Sequence, residues 1–222
     1  ANIKHKKGAA DAKRGKIFSR LTKEIIAAVK KGGGDTNANT RLRNVLASAR
    51  AANMPSSNIE RAIKKALGEE DGINYEEITY EGYGSGGVAI LVECLSDNRN
   101  RTAGEIRMLF DRGNGTLAGG GTVLWMFKRK ARFIVTGTNA DETKLMELLL
   151  DAGVEDISVE NGSAEILAEP DCFDAVSKAL EKAGIKPDEA GIIQKPDNYV
   201  EVKDLNVAKQ TLNLIEKLEE QD

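Results

Sequence analysis

Val154-Glu-Asp-Ile-Ser-Val-Glu160 and Ser163-Ala-Glu-Ile-Leu-Ala168 flank the pair Asn161-Gly162. Asn-Gly tolerates positive φ at both central positions of a tight hairpin turn, and alternating apolar residues on either side complete the hairpin signal. The spacing predicts strands at 154–160 and 163–168. Working outward, a strand at 132–136 and a helix at 141–152 precede the hairpin. A helix at 171–183 and a strand at 189–194 follow it. The order βαββαβ is that of the ferredoxin-like split fold, which is self-sufficient. Residues 131–195 therefore read as a domain of their own.

What lies on either side of this block reads as a second α+β domain, residues 76–130 plus 196–222, into which the block is inserted. Strands are predicted at 77–81 and 88–95, with a helix at 98–112 presenting Ile106, Leu109 and Phe110 inward. Thr122-Val-Leu-Trp-Met-Phe127 is apolar on both faces, as in a central strand, and places Trp125 in the core. After Pro196, Tyr199–Val202 reads as a strand and Leu205–Leu218 as a helix.

The first 75 residues read as a small helical domain. From Gly8 to Lys31, Ile17, Leu21, Ile25, Ala28 and Val29 recur at helical period, while Lys13, Lys16, Arg20 and Lys23 stack on another face. Lys4, His5, Lys6 and Lys7 form a basic arm ahead of it. A second helix is expected over Thr40–Asn53, with Arg41, Arg43 and Arg50 turned away from its apolar face. A third begins at a Ser57-x-x-Glu60 capping box and runs to Gly68. Residues 1–67 hold 16 Lys/Arg against 4 Asp/Glu, a net +12, and residues 68–222 hold 16 against 31, a net −15. Such a split points to a polyanionic partner for the basic domain.

Several function classes are excluded or disfavoured. His5 is the single histidine, so a histidine triad or metal cluster is out. Cys94 and Cys172 form no CxxC, which fits a reducing, cytoplasmic setting. No apolar run reaches the ~20 residues of a membrane span. Gly82, Gly84 and Gly87 match GxGxxG, and Gly113, Gly115 and Ala118 match GxGxxA. That fingerprint requires the loop to leave a strand and open a helix, whereas both loops lead into strands. No enzyme constellation and no cofactor site is found, and a monomer is the expectation.

Ala1-Asn-Ile-Lys-His-Lys-Lys7, Asp11-Ala-Lys-Arg-Gly-Lys-Ile-Phe18, Asn53-Met-Pro55, Tyr80-Glu-Gly-Tyr-Gly84, Asp97-Asn-Arg-Asn-Arg-Thr102 and Trp125-Met-Phe127 together resemble the YebC (PmpR) family, whose mitochondrial relatives activate translation of a cytochrome oxidase subunit. The resemblance runs the length of the chain. Against the family pattern, a short leader before Ala1 and a strand after the last helix are missing, and Thr116-Leu-Ala-Gly-Gly-Gly121 replaces a Gly-Asn-Leu-Gly loop. The resemblance implies an N-terminal helical domain and two α+β domains, one inserted in the other. It also implies non-enzymatic control of gene expression through nucleic acid. One form is a DNA-binding transcriptional regulator. The other is a ribosome-associated translation factor that binds ribosomal or transfer RNA and relieves stalls at proline-rich stretches. In either form Lys4, His5, Lys6, Lys7, Lys13, Arg14, Lys16, Arg20, Lys23, Lys30, Lys31, Arg41 and Arg43 are the candidate contacts. Gly113, Asn114, Gly115, Gly119, Gly120 and Gly121 form a candidate contact loop.

Overall fold

The computed structural model describes the backbone of residues 2–68 and 74–221, and the side chains of 13–68 and 74–221. The expected contacts Lys4, His5, Lys6 and Lys7 thus lie outside the described side chains. Strand alternation organises the four-stranded sheet between residues 127 and 196. Its strands are β4 (Phe127–Thr136), β5 (Val154–Glu160), β6 (Ser163–Ala168) and β7 (Glu189–Pro196), in the order β5-β6-β4-β7. With helices and two sheets, the described chain is an α+β protein. Ala131, Phe133 and Val135 of β4 face one way and stand opposite Ala168, Ile166 and Ala164 of β6. Ile157 of β5 completes the row through Ile166. Two helices, α5 (Glu142–Leu149) and α6 (Phe173–Lys182), cover that face with Leu145, Leu149, Phe173, Val176 and Leu180. The Phe133 and Phe173 rings stack with centroids 4.8 Å apart. At the hairpin Asn161 and Gly162 both adopt positive φ, 51° and 74°, as the Asn-Gly pair predicts.

The N-terminal domain is three helices: α1 (Asn2–Gly32), α2 (Thr40–Ala51) and α3 (Ser56–Leu67). Helical backbone from Asn2 replaces the arm expected at 1–7. The capping box expected at Ser57 is not formed. Pro55 is the N-cap and supplies no side-chain bond; its carbonyl accepts the N–H groups of Asn58 and Ile59. Leu21, Ile25, Ala28 and Val29 of α1 are buried with Leu42, Val45, Leu46 and Ala49 of α2. By its packing the described chain forms two compact units, and this domain shares one of them (1–71 with 129–195) with the ferredoxin-like domain. Ala47 of α2 packs on the ferredoxin-like core, Arg43 Nε lies 3.8 Å from Asp174, and Lys186 donates to Asn53 Oδ1.

The other unit comprises 72–128 and 196–222. Its sheet has β1 (Glu76–Tyr83) at the centre, flanked by β2 (Ala89–Ser96) and the short β3 (Thr116–Ala118), both antiparallel. Helices α4 (Arg99–Arg112) and α7 (Leu205–Glu219) contribute Ile106, Leu109, Phe110, Leu214 and Leu218 to its core. Gly82 has no room for a side chain: a Cβ there would stand 2.5 Å from Phe110 Cε1 and from the Thr116 carbonyl oxygen. Tyr199–Val202 is not a strand. Asp197 N–H donates to the Met126 carbonyl and Lys128 pairs with Asp197, so the segment leaves the neighbourhood of 126–128 outside any ladder, with Tyr199 74% exposed.

The corner between α1 and α2 rests on Asn39, only 6% exposed. Its Oδ1 accepts Leu42 N–H at 3.0 Å, capping α2. Its Nδ2 donates to the Ala28 and Gly33 carbonyls at 2.9 and 2.8 Å, tying the start of α2 to the last turn of α1. We expect Asn39→Ala to lower unfolding free energy by about 2–4 kcal/mol, the sum of a lost cap and two lost hydrogen bonds. Asn39→Ser, which keeps a capping oxygen, should recover about 1 kcal/mol of it. Urea denaturation followed by circular dichroism measures both.

Candidate nucleic-acid interface

On α1, Lys13, Arg14, Lys16 and Arg20 are exposed and Lys23 is half-buried, while Leu21 and Ile25 on the opposite face are buried. The expected separation of cationic and apolar stripes is therefore present over the described side chains. It follows from helical period alone: positions 13, 16, 20 and 23 fall on one face. Arg20 lies 3.4 Å from Glu24 one turn on, an exposed pair worth a few tenths of a kcal/mol that leaves the guanidinium accessible. Lys30 and Lys31 are exposed in the last turn, where cations also offset the negative end of the helix dipole.

Arg41 and Arg43 sit on α2, half-buried, apart from the α1 stripe in sequence and element. Arg43 has a structural occupation. Its Nη1 donates to the Thr36 and Asn37 carbonyls at 2.5 and 3.0 Å, and its Nη2 to Thr40 Oγ1 at 3.0 Å. The guanidinium therefore closes the 33–39 loop. The exposed cations Arg50, Arg61, Lys64 and Lys65 were not among the sequence-derived candidates, although they belong to the same charge excess.

The glycine-rich candidate loop divides into parts with different duties. Gly113 and Gly115 are packing positions: a Cβ at Gly113 would meet Leu214 at 2.9 Å, and one at Gly115 the Tyr83 carbonyl at 2.8 Å. Asn114 takes positive φ, 53°, and Thr116–Ala118 is strand β3. Only Gly119, Gly120 and Gly121 present open backbone. A Cβ at Gly119 or Gly121 would meet nothing within 4 Å.

Beyond these glycines the structure corrects the sequence reading. Thr122–Phe127 is not a central strand, and Trp125 is not core. A single 3-10 turn spans Leu124–Met126; Val123 is fully buried, Leu124 is 43% exposed and Trp125 71% exposed. The cause is Glu81, a carboxylate only 4% exposed. It accepts N–H from Gly121 at 2.5 Å, Val123 at 2.6 Å and Leu124 at 2.8 Å. Those N–H groups cannot then enter a ladder, and the chain is folded round the carboxylate. The indole N–H of Trp125 donates to the Thr122 carbonyl at 3.0 Å, which orients the ring. Sequence reasoning passed over Glu81 because an acidic residue in a strand reads as solvent-facing.

Burial raises the Glu81 pKa, but the backbone N–H donors from Gly121, Val123, Leu124 and Thr122 outweigh it, and the net displacement is downward. A folded pKa below the unfolded value of about 4.3 makes the clamp's contribution complete above that value, and the contribution is lost as pH falls through the folded pKa. We expect the amide resonances of Gly121, Val123 and Leu124 to titrate together in NMR with a midpoint below 4.3 and to be pH-independent from 5 to 8. Glu81→Gln should abolish the titration.

Among the described residues no group of three or more His, Cys, Asp or Glu is placed to hold a metal ion. No described helix is long and apolar enough to cross a membrane. Residues 84–88 join β1 to β2, and residues 113–115 join α4 to β3, so neither glycine string opens an α-helix towards a phosphate.

Comparison with known proteins places this architecture. Residues 1–69 match the model of the TACO1/YebC protein N-terminal domain, and residues 75–222 match that of the TACO1/YebC second and third domain. Over 222 residues the chain is 50% identical to a protein of Desulfatibacillum aliphaticivorans and 51% identical to one of Geobacter sulfurreducens. Each is named a probable transcriptional regulatory protein, and the match covers all of this chain and 90% and 89% of theirs. The crystal structure of a conserved hypothetical protein from Aquifex aeolicus superposes with a TM-score of 0.85 at 41% identity, covering 95% of this chain and 87% of that one.

Proposed function

The chain belongs to the TACO1/YebC family, and from that premise we propose that it is a non-enzymatic, nucleic-acid-binding regulator of gene expression, a DNA-binding transcriptional regulator in its first reading. The observation that carries this is the exposed cationic face of α1, set on a domain of net +12. Relatives named as transcriptional regulatory proteins support the choice of DNA. In this reading residues 1–75 are the binding domain. The α+β domains at 76–130 with 196–222, and at 131–195, carry the acidic excess and stay off the phosphates.

Lys13, Arg14, Lys16, Arg20 and Lys23 suit phosphate contacts, which position a protein without reading sequence. Base reading calls for Asn, Gln or Arg side chains aimed at base edges. Asn39 and Arg43 are spent on the helix corner and its loop. The α1 face is lysine-rich and carries no Asn or Gln among its exposed cations, which supports a second reading, structured ribosomal or transfer RNA met on the ribosome, where shape and phosphate geometry are the usual code.

Replacing Lys13, Lys16, Arg20 and Lys23 together by Gln should leave the circular dichroism spectrum unchanged. It should reduce the slope of log affinity against log salt by roughly 3–4 units on duplex DNA. An unchanged slope would remove the assigned role of α1. Crosslinking in cells followed by sequencing of the bound nucleic acid separates the two readings: discrete promoter DNA supports the first, ribosomal and transfer RNA the second.

A further inference from the structure

A buried carboxylate spent on holding one turn calls for a reason. The turn at 121–125 could close with a polar loop residue and no burial of charge. Instead Glu81 is dehydrated and satisfied by three backbone donors, and the product of that arrangement is an outward-facing Trp125. Trp125 is the sole tryptophan of the chain. Its edge is tethered through the indole N–H, so the ring is held in one orientation while its surface stays 71% exposed. The backbone that leads to it, Gly119–Gly121, carries no side chain, and a Cβ at Gly119 or Gly121 would meet nothing within 4 Å. Buried groups that lock a functional side chain in a fixed geometry are the hallmark of a pre-organised contact.

The surroundings narrow the ligand. Ala118 stands opposite Glu81 in the sheet, so the clamp also adjoins the end of a groove of about 300 Å³ lined by Arg107, Asp111, Gly115, Thr116, Leu117 and Ala118. The unit formed by 72–128 and 196–222 carries 8 Lys/Arg against 14 Asp/Glu. An acidic unit repels a phosphate backbone, so its contact with a nucleic acid would be through an uncharged surface. Trp125 follows the bare backbone of Gly119–Gly121 in the chain, with Leu124 beside it 43% exposed. A flat indole face tethered at its edge suits a flat partner.

We propose that Trp125 is a stacking platform for an unpaired nucleobase of single-stranded RNA or DNA, with Glu81 as its positioning residue. The proposal rests on the nucleic-acid reading above and adds a second contact of different chemistry. The α1 face supplies salt-dependent affinity for any strand; Trp125 supplies a salt-insensitive preference for unpaired bases. Base–aromatic stacking is sequence-tolerant because every base has a π-face, and a duplex keeps those faces occupied.

The tryptophan itself is the probe. The full chain is titrated with a 12-nucleotide oligo-U, a 12-nucleotide oligo-dT and a duplex of equal length, following tryptophan emission and, separately, anisotropy of a labelled strand. Quenching by either single strand, with none on the duplex, supports stacking, and the tighter of the two strands assigns the sugar. Trp125→Ala should weaken single-strand binding about 5- to 150-fold without changing the salt slope, and Trp125→Phe should restore most of it. Glu81→Gln should lose the single-strand preference while duplex affinity stays at the wild-type value. Strand binding seen by anisotropy, with unaltered tryptophan emission and unaltered affinity in Trp125→Ala, overturns the proposal and leaves the phosphate reading standing. Absence of binding to all three probes by the wild-type chain overturns both.

Discussion

One amide side chain holds the basic domain in shape. Asn39 satisfies carbonyls at the end of α1 with its nitrogen and caps α2 with its oxygen. The two sets of bonds tie the last turn of α1 to the first turn of α2, and a buried amide is costly to leave without partners. Gly32 is the companion of that amide: a Cβ there would stand 2.7 Å from Asn39 Nδ2. Once the corner is set, Arg43 closes the intervening loop, and α1 presents its apolar face inward and its cations outward. Asn39 thus fixes how α2 follows α1, while the sorting of α1 into two faces follows from helical period.

Glu81 plays the equivalent part in the second unit. Both residues are buried polar groups satisfied chiefly by backbone, and each fixes a segment that carries exposed chemistry. The difference lies in charge. A neutral amide shapes a cationic surface, and a carboxylate of lowered pKa shapes an aromatic one. Charged ligands and flat ligands need different surfaces, and the chain keeps the two on separate elements. The family assignment accounts for the architecture; these two local devices account for how the architecture displays its side chains.

The legible portion of the fold was the portion governed by period and local turn chemistry. Asn161-Gly162 named its own turn, and the strands on either side ran to the residues expected, Val154–Glu160 and Ser163–Ala168. The apolar and cationic stripes of α1 were equally visible, since helical period sorts residues by face before any packing occurs. Reading failed where a distant side chain redirected the backbone. Thr122–Phe127 has the composition of a buried strand, but a carboxylate about forty residues earlier takes the N–H groups a strand would use. Tyr199–Val202 has strand composition too, yet its start is held beside Met126 and Lys128, away from any ladder.

The candidate site divides along the same line. By itself the sequence determined that a basic helical domain precedes an acidic α+β remainder, that α1 carries a cationic stripe, and that the glycine strings do not open helices. Those properties depend on composition and on spacing within a single element. Only the tertiary structure decided that Arg43 is a loop clasp, that Gly113 and Gly115 are packing positions, and that Trp125 faces outward under the control of Glu81. Each of those outcomes depends on a pair of groups far apart in the chain, such as Glu81 with Val123 or Gly113 with Leu214. A buried polar group takes its partners from whatever the fold brings near, and that proximity is absent from the linear order of residues.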